Sequence, residues 1–180
     1  MIKNRKPKIG LLGIMIEGYE PIFPGIIENQ EKYVREDLIP TISDIAEIDF
    51  PGAACNRGAI EETVRHFNQS GCDGIMIVLL AYSHATWIVR AMQDNRLPLA
   101  LAVLQPSDQM TPEFVEYDFT INQGIHGAQD NANALMRLGV PCQFFVGSRN
   151  GKEFRDFFSD FSTASFVYSS LRGMRCAVIG

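Results

Sequence analysis

The run Ile75-Met-Ile-Val-Leu-Leu80 sets six apolar residues in succession with no polar alternation. A strand with one wet face alternates apolar and polar side chains, so an unbroken run demands cover on both faces. Comparable short apolar segments recur at 9–16, 46–50, 99–104 and 143–147, and each reads as a strand. Amphipathic stretches lie between them. Segment 26–42 carries Ile26, Ile27, Tyr33, Val34, Leu38 and Ile42 at roughly helical spacing. Segment 57–69 follows Asn56, a good N-cap, and stops before Gly71. Segments 84–95 and 124–138 complete the alternation, the latter ended by Gly139 and Pro141. Strands alternating with helices predict an α/β fold: an open, doubly wound, mostly parallel sheet of about five strands, flavodoxin- or Rossmann-like. No internal repeat of fixed period is present.

Composition narrows the partners. The 180 residues are 46% apolar and 21% charged, enough for one real core. Sixteen basic against 21 acidic side chains leave a net charge of −5, which argues against nucleic acid or an anionic membrane as the main partner. Cys55, Cys72, Cys142 and Cys176 are widely spaced and form no C-x-x-C pair, so they read as reduced thiols. Lys3, Arg5, Lys6 and Lys8 ahead of an apolar run imitate a signal peptide, but the run meets Glu17-Gly-Tyr-Glu20 without a small-residue cleavage site. No apolar run approaches the ~20 residues of a membrane span. A cytoplasmic, soluble protein is expected.

Two stretches break the alternation. Segment 105–123 is a long connection containing Pro106, Ser107, Asp108, Thr111 and Pro112, and loops of that length are often functional. Segment 151–170 reads as a helix rich in phenylalanine, and 174–180 as a strand running into glycine. A strand ending at glycine usually leads into a loop and another helix. The expected organisation is therefore an N-terminal α/β domain over 1–172, with 173–180 the first strand of a following domain. The other reading makes 174–180 an edge strand of this same domain.

Candidate chemistry gathers at the ends of the expected strands. Gly10, Gly13 and Gly18 lack the G-x-G-x-x-G spacing of a dinucleotide loop, and Asp49 is the only candidate ribose acid. His66 reads as a partly exposed helix residue. His84 follows the third main strand, where open sheets place ligands, and serves there either as a ligand contact or in helix capping beside Ser83. His126 lies in Asn122-Gln-Gly-Ile-His-Gly127, where the long loop enters a helix. Amides and imidazole both donate and accept hydrogen bonds, which suits recognition of hydroxyl groups. There is no H-E-x-x-H and no closely spaced set of metal ligands. A Ser83, His84, Asp108 triad lacks a G-x-S-x-G elbow, so no residue is assigned as catalytic. Trp87 and the phenylalanine-rich helix read as core or subunit-interface surface.

The loop Ile121-Asn-Gln-Gly-Ile-His-Gly127 resembles the Asn-Gln-x-x-His-Gly motif of the L-fucose/L-arabinose isomerase family. The segment Tyr82-Ser-His-Ala-Thr-Trp87 resembles that family's aromatic-Ser-x-Ala segment ahead of a Trp. Order and separation also fit, and the resemblance covers essentially the whole chain as the N-terminal domain of a longer, three-domain enzyme. It implies an aldose–ketose isomerase using a divalent metal, usually Mn²⁺, held by the later domains, so this chain alone would bind no metal and be inactive. It implies that Gln123 and His126 contact the monosaccharide, that Tyr82 lines the pocket, and that the enzyme is a homo-oligomer in which such residues reach a neighbouring active site. Where arabinose isomerases have a glutamine after the first strand, this chain reads Ile14-Met-Ile-Glu-Gly-Tyr19. That role is unfilled or passes to Glu17. The competing readings are a stand-alone sugar- or effector-binding module of periplasmic-binding-protein type and a flavodoxin-like nucleotide domain.

Overall fold

The computed structural model describes residues 5–172, 174, 175 and 177. Its strands are β1 (Lys8–Ile14), β2 (Glu47–Asp49), β3 (Ala53–Ala54), β4 (Gly74–Leu79), β5 (Leu99–Leu104) and β6 (Gln143–Gly147). They form one sheet in the order β2-β1-β4-β5-β6, and β3 pairs with the far end of β1. Every pairing is parallel. The α/β fold expected from the alternation is therefore present, with the flavodoxin-type strand order. Among the described residues, no helix is long and apolar enough to cross a membrane.

Period-two alternation sorts the strand side chains into two cores. Ile9, Leu11, Met76, Val78, Ala100 and Ala102 face one side of the sheet, while Leu12, Ile14, Ile75, Ile77, Leu99 and Leu101 face the other. The first face is covered by α1 (Ile26–Tyr33) and α6 (Lys152–Arg172), the second by α2 (Arg57–Gln69), α3 (Ile88–Asp94) and α5 (Gly124–Arg137). The small Ala100 and Ala102 lie in the core that also receives Phe154, Phe158 and Phe161 of α6. On α2 the buried residues are Ile60, Val64 and Phe67, and Asn56 caps the helix by accepting from the Ala59 amide at 3.0 Å.

Two expectations need correction, and a third lies largely outside the described residues. The helix expected over 26–42 is regular only to Tyr33; it widens over Val34–Leu38 and tightens at Ile39–Thr41, where Pro40 has no N–H to continue the ladder. The connection 105–123 is not all loop, because it holds α4 (Glu116–Asn122), started by the Asp118 carboxylate accepting from the Val115 amide at 3.0 Å. The strand expected over 174–180 falls partly outside the described residues, as do Lys3 and Cys176; Met174, Arg175 and Ala177 lie in no strand.

Asp73, only 1% exposed at the start of β4, ties four segments together. It accepts two bonds from the Arg5 guanidinium at 2.7 and 2.8 Å, one from the Lys8 amide at 2.8 Å, and one from Ser169 of α6. Burial alone would raise its pKa, but the bonds from Arg5, Ser169 and Lys8 outweigh that and hold it below the ordinary carboxylate value. Asp73→Ala is expected to cost about 1.5–3 kcal/mol in urea unfolding at neutral pH, because it removes a buried carboxylate that accepts four hydrogen bonds and leaves the half-buried Lys8 amide and Ser169 hydroxyl without that partner. A depressed carboxyl stabilises fully above its unfolded-state pKa and loses that contribution as pH falls through the folded one. The gap between wild type and variant should therefore close on acidification.

Candidate functional site

The carboxyl ends of β1, β4 and β5 bring together most of the residues singled out from the sequence. After β4 the chain passes through Tyr82, Ser83 and His84, and the Tyr82 carbonyl accepts from the Ile16 amide at 3.0 Å. This bond locks the segment after β4 to the segment after β1. Helix α5 then descends onto the same edge. A Cβ on Gly124 would lie 2.8 Å from the Leu79 carbonyl oxygen, and one on Gly127 3.0 Å from the Ser83 amide nitrogen. Only glycine permits so close an approach. Asn131, fully buried one turn further on, donates to the carbonyls of Gly127 at 2.7 Å and Ser83 at 3.3 Å.

Gln123 and His126 sit at the start of α5 and line one cleft of about 280 Å³, together with Gln105, Ser107 and Asp108. That volume is near the lower end of the ~300–1,000 Å³ typical of small-molecule clefts. Gln123 Nε2 donates to the Tyr19 hydroxyl at 3.1 Å, while the His126 imidazole is exposed. Phe114 and Phe119, packed edge to face with ring centroids 5.8 Å apart, give the cleft an apolar wall. Asn122 is a brace: it accepts from the Ser107 amide at 2.9 Å, donates to the Asp118 carbonyl at 2.8 Å, and its own carbonyl takes a bond from Gln105 at 2.6 Å. Arg149, beyond β6, holds the same connection through the Pro106 carbonyl at 2.6 Å and lies over the Tyr33 ring at 5.2 Å.

Tyr82 and His84 line a different cleft of 340 Å³, with Asp130 and Arg137 of α5. The Tyr82 hydroxyl donates to Asp130 Oδ2 at 3.2 Å, and His84 packs edge-on between Tyr82 and Trp87 with ring centroids 5.3 and 4.9 Å away. The two expected pairs therefore line separate clefts, Gln123 and His126 at the first turn of α5 and Tyr82 and His84 against Asp130 and Arg137, which follow at helical spacing along the same face of that helix. Glu17 lines neither cleft; it accepts from the Asn56 side chain at 3.2 Å beside the start of α2. Burial raises the Tyr19 pKa, with Tyr82 adding to it; burial and the Asp130 bond raise that of Tyr82. Both hydroxyls are thus protonated donors at neutral pH.

Other expectations fall away on geometry. Ser83 is fully buried with an unpartnered hydroxyl, His84 packs on aromatic rings, and Asp108 accepts from Asn150 at 3.3 Å in the other cleft, so no triad assembles. His84 makes no side-chain capping bond to the turn it precedes. Asp49 lies beside Gly10, away from the carboxyl edge, and pairs with His66 Nε2 at 3.1 Å and Lys8 at 3.3 Å rather than awaiting a ribose. Burial pushes the thiols of Cys55 and Cys72 up to about 11 and that of Cys142 to about 12, so none is a ready nucleophile. Among the described residues, no three His, Cys, Asp or Glu side chains gather as metal ligands. Sequence reasoning missed Tyr19, Gln105 and Asp130, although Tyr19 stood in the Glu17-Gly-Tyr19 turn after the first strand and Gln105 opened the long connection 105–123, both already singled out.

The chain matches no protein-family model and no curated protein. Solved structures similar to it include a type B ribose 5-phosphate isomerase of Trypanosoma brucei, at 13% identity over 89% of this chain and 99% of that one, with a TM-score of 0.30. They also include a futalosine hydrolase mutant of Helicobacter pylori strain 26695, at 12% identity over 93% of this chain and 100% of that one, with a TM-score of 0.25. At such scores neither likeness bears on the chemistry of the site.

The close approach of α5 is open to a direct test. Gly124→Ala forces a methyl against the backbone of β4 and is expected to cost about 1–3 kcal/mol in urea unfolding. Loss of the Gln123–Tyr19 bond should accompany it, read as a changed environment of the Gln123 side-chain amide by NMR.

Proposed function

We propose that this chain is the sugar-contacting N-terminal part of a metal-dependent aldose–ketose isomerase that works as a homo-oligomer. The observation that carries the reading is the pairing of Gln123 with Tyr19, with His126 lining the same cleft at the carboxyl edge of a parallel sheet. Open α/β sheets bind ligands at that edge. Resemblance of the Asn-Gln-x-x-His-Gly loop to the isomerase motif assigns sugar contacts to the same two side chains. Tyr82 and His84 line a separate cleft, so the sugar contacts of this reading rest on Gln123 and His126.

Moving a carbonyl between C1 and C2 requires a base near the C–H bond and charge stabilisation on the developing enediolate oxygens. A divalent cation such as Mn²⁺, bound elsewhere in the complete enzyme, supplies that stabilisation. The residues here bind and orient. The Gln123 amide, polarised by its bond to Tyr19, and the His126 ring nitrogens present donors and acceptors to sugar hydroxyls. Asn122 and Arg149 hold the surrounding connection so that these donors stay placed.

Titration of the ¹⁵N-labelled chain with ribitol, an open-chain polyol, should give saturable shifts centred on Gln105, Gln123 and His126. Gln123→Ala should weaken binding at least tenfold, and Glu47→Ala, on the distant edge, should leave it unchanged. Shifts that never saturate, or that map away from this cleft, would remove the sugar-contact reading. Ketose formation from an aldopentose by the purified chain with Mn²⁺ would show instead that the chain carries the whole chemistry.

A further inference from the structure

At the amino edge of the sheet, opposite the clefts described above, α2 and α3 leave a groove of about 520 Å³ between them. Its floor is apolar, built from Val64, Ala91 and Leu97. Its rim carries Arg65, Arg90, Arg96 and Arg172, which outnumber the two carboxylates present, Glu61 and Asp94. All four arginines are exposed, and among the described residues none forms an ion pair. Glu61 and Asp94 stand at the i, i+4 spacing from Arg65 and Arg90 that favours pairing on a helix, yet the guanidiniums are not used that way.

The groove is built on a rigid frame. The Asn68 side chain donates to the Val64 carbonyl at 2.8 Å and to Asn95 Oδ1 at 3.1 Å, and it accepts from the Arg96 amide at 3.0 Å. Asn95 closes its own turn on Leu97, accepting from its amide at 3.1 Å and donating to its carbonyl at 2.8 Å. Arg172, at the end of α6, reaches the Arg96 carbonyl at 3.1 Å and is thereby fixed on the rim. Three separate helices and one turn thus converge four planar donors on one space.

We propose that this groove is a binding site for a small ligand bearing a phosphate or equivalent dianionic group, its uncharged portion lying on the Val64–Ala91–Leu97 floor. Guanidinium forks match phosphate oxygens bidentately, and a dianion relieves the mutual repulsion of the clustered arginines. The chain as a whole carries −5, so its long-range field repels anions and any affinity must come from this local cluster. The site is independent of the sugar reading, because it lies on the opposite edge of the sheet and shares no residue with either cleft there.

Inorganic pyrophosphate serves as the probe, titrated calorimetrically into the 180-residue chain at about 0.1 M ionic strength, where the Debye length is ~10 Å. Saturable binding at one site is expected. The double substitution Arg90→Ala, Arg96→Ala should weaken it at least tenfold, while Arg57→Ala, at the other end of α2, leaves it unchanged. Asp94→Asn, which removes a competing carboxylate without touching an arginine, should tighten it several-fold. Absence of saturable binding, equal loss in Arg57→Ala, or full retention in the double variant would overturn the proposal, as would weaker binding in Asp94→Asn. A failure here leaves the polyol titration unaffected, so the two readings stand or fall separately.

Discussion

The arrangement of the carboxyl edge rests on the contact between α5 and the end of β4, where Gly124 and Gly127 leave no side chain between helix and strand. Helix–sheet packing normally keeps a layer of side chains between backbones. Here that layer is missing for one turn, and Asn131 compensates by bonding across to the Ser83 carbonyl. As a result the start of α5, with Gln123 and His126, stands level with the strand ends instead of above them. Tyr82 and His84 line a separate cleft further along the same helix, against Asp130 and Arg137. One steric permission therefore sets where the start of α5 meets the strand ends.

That contact is possible only because the sheet beneath it is already fixed. β4 is buried along its whole length, held by β1 on one side and β5 on the other, with a separate core on each face. Apolar burial of this kind sets position without direction. Direction comes from the polar ties: Asp73 at the amino end, and the Ile16–Tyr82 backbone bond at the carboxyl end. Between them they fix where the β4 strand starts and where its loop leaves.

Much of this was legible in the sequence because it depends on local periodicity. β5, β6 and α2 lie at the residues that their apolar patterns, caps and glycines marked. What could not be read depends on contacts distant in sequence. Tyr19 meets Gln123 across 104 residues, and no local pattern announces such a pair. Nor could spacing show that Gln123 and Tyr82 line separate clefts, since that follows from where the helix lands. Helix α4 was missed because its short run, Glu-Tyr-Asp-Phe-Thr-Ile-Asn, has no clear amphipathic period, and it is held by Tyr117 packing against Phe23 and bonding Asn29. Asn122 looked like part of a recognition motif, yet its hydrogen bonds are spent on holding Ser107 and Asp118 in place.

The two edges of the sheet differ in the kind of recognition they permit. At the carboxyl edge the groups around Gln123 are mostly amides and hydroxyls, with the His126 imidazole, one carboxylate at Asp108, and Tyr19 kept protonated. Neutral donors and acceptors discriminate by geometry and suit ligands with many hydroxyls and no charge. At the amino edge, four unpaired guanidiniums around an apolar floor discriminate by charge and planarity. An uncharged polyol offers those arginines nothing that water does not, and a dianion offers the carboxyl-edge amides no counter-charge. On the two proposals the ligand classes would not compete, because their clefts share no residue and lie at opposite edges of the sheet.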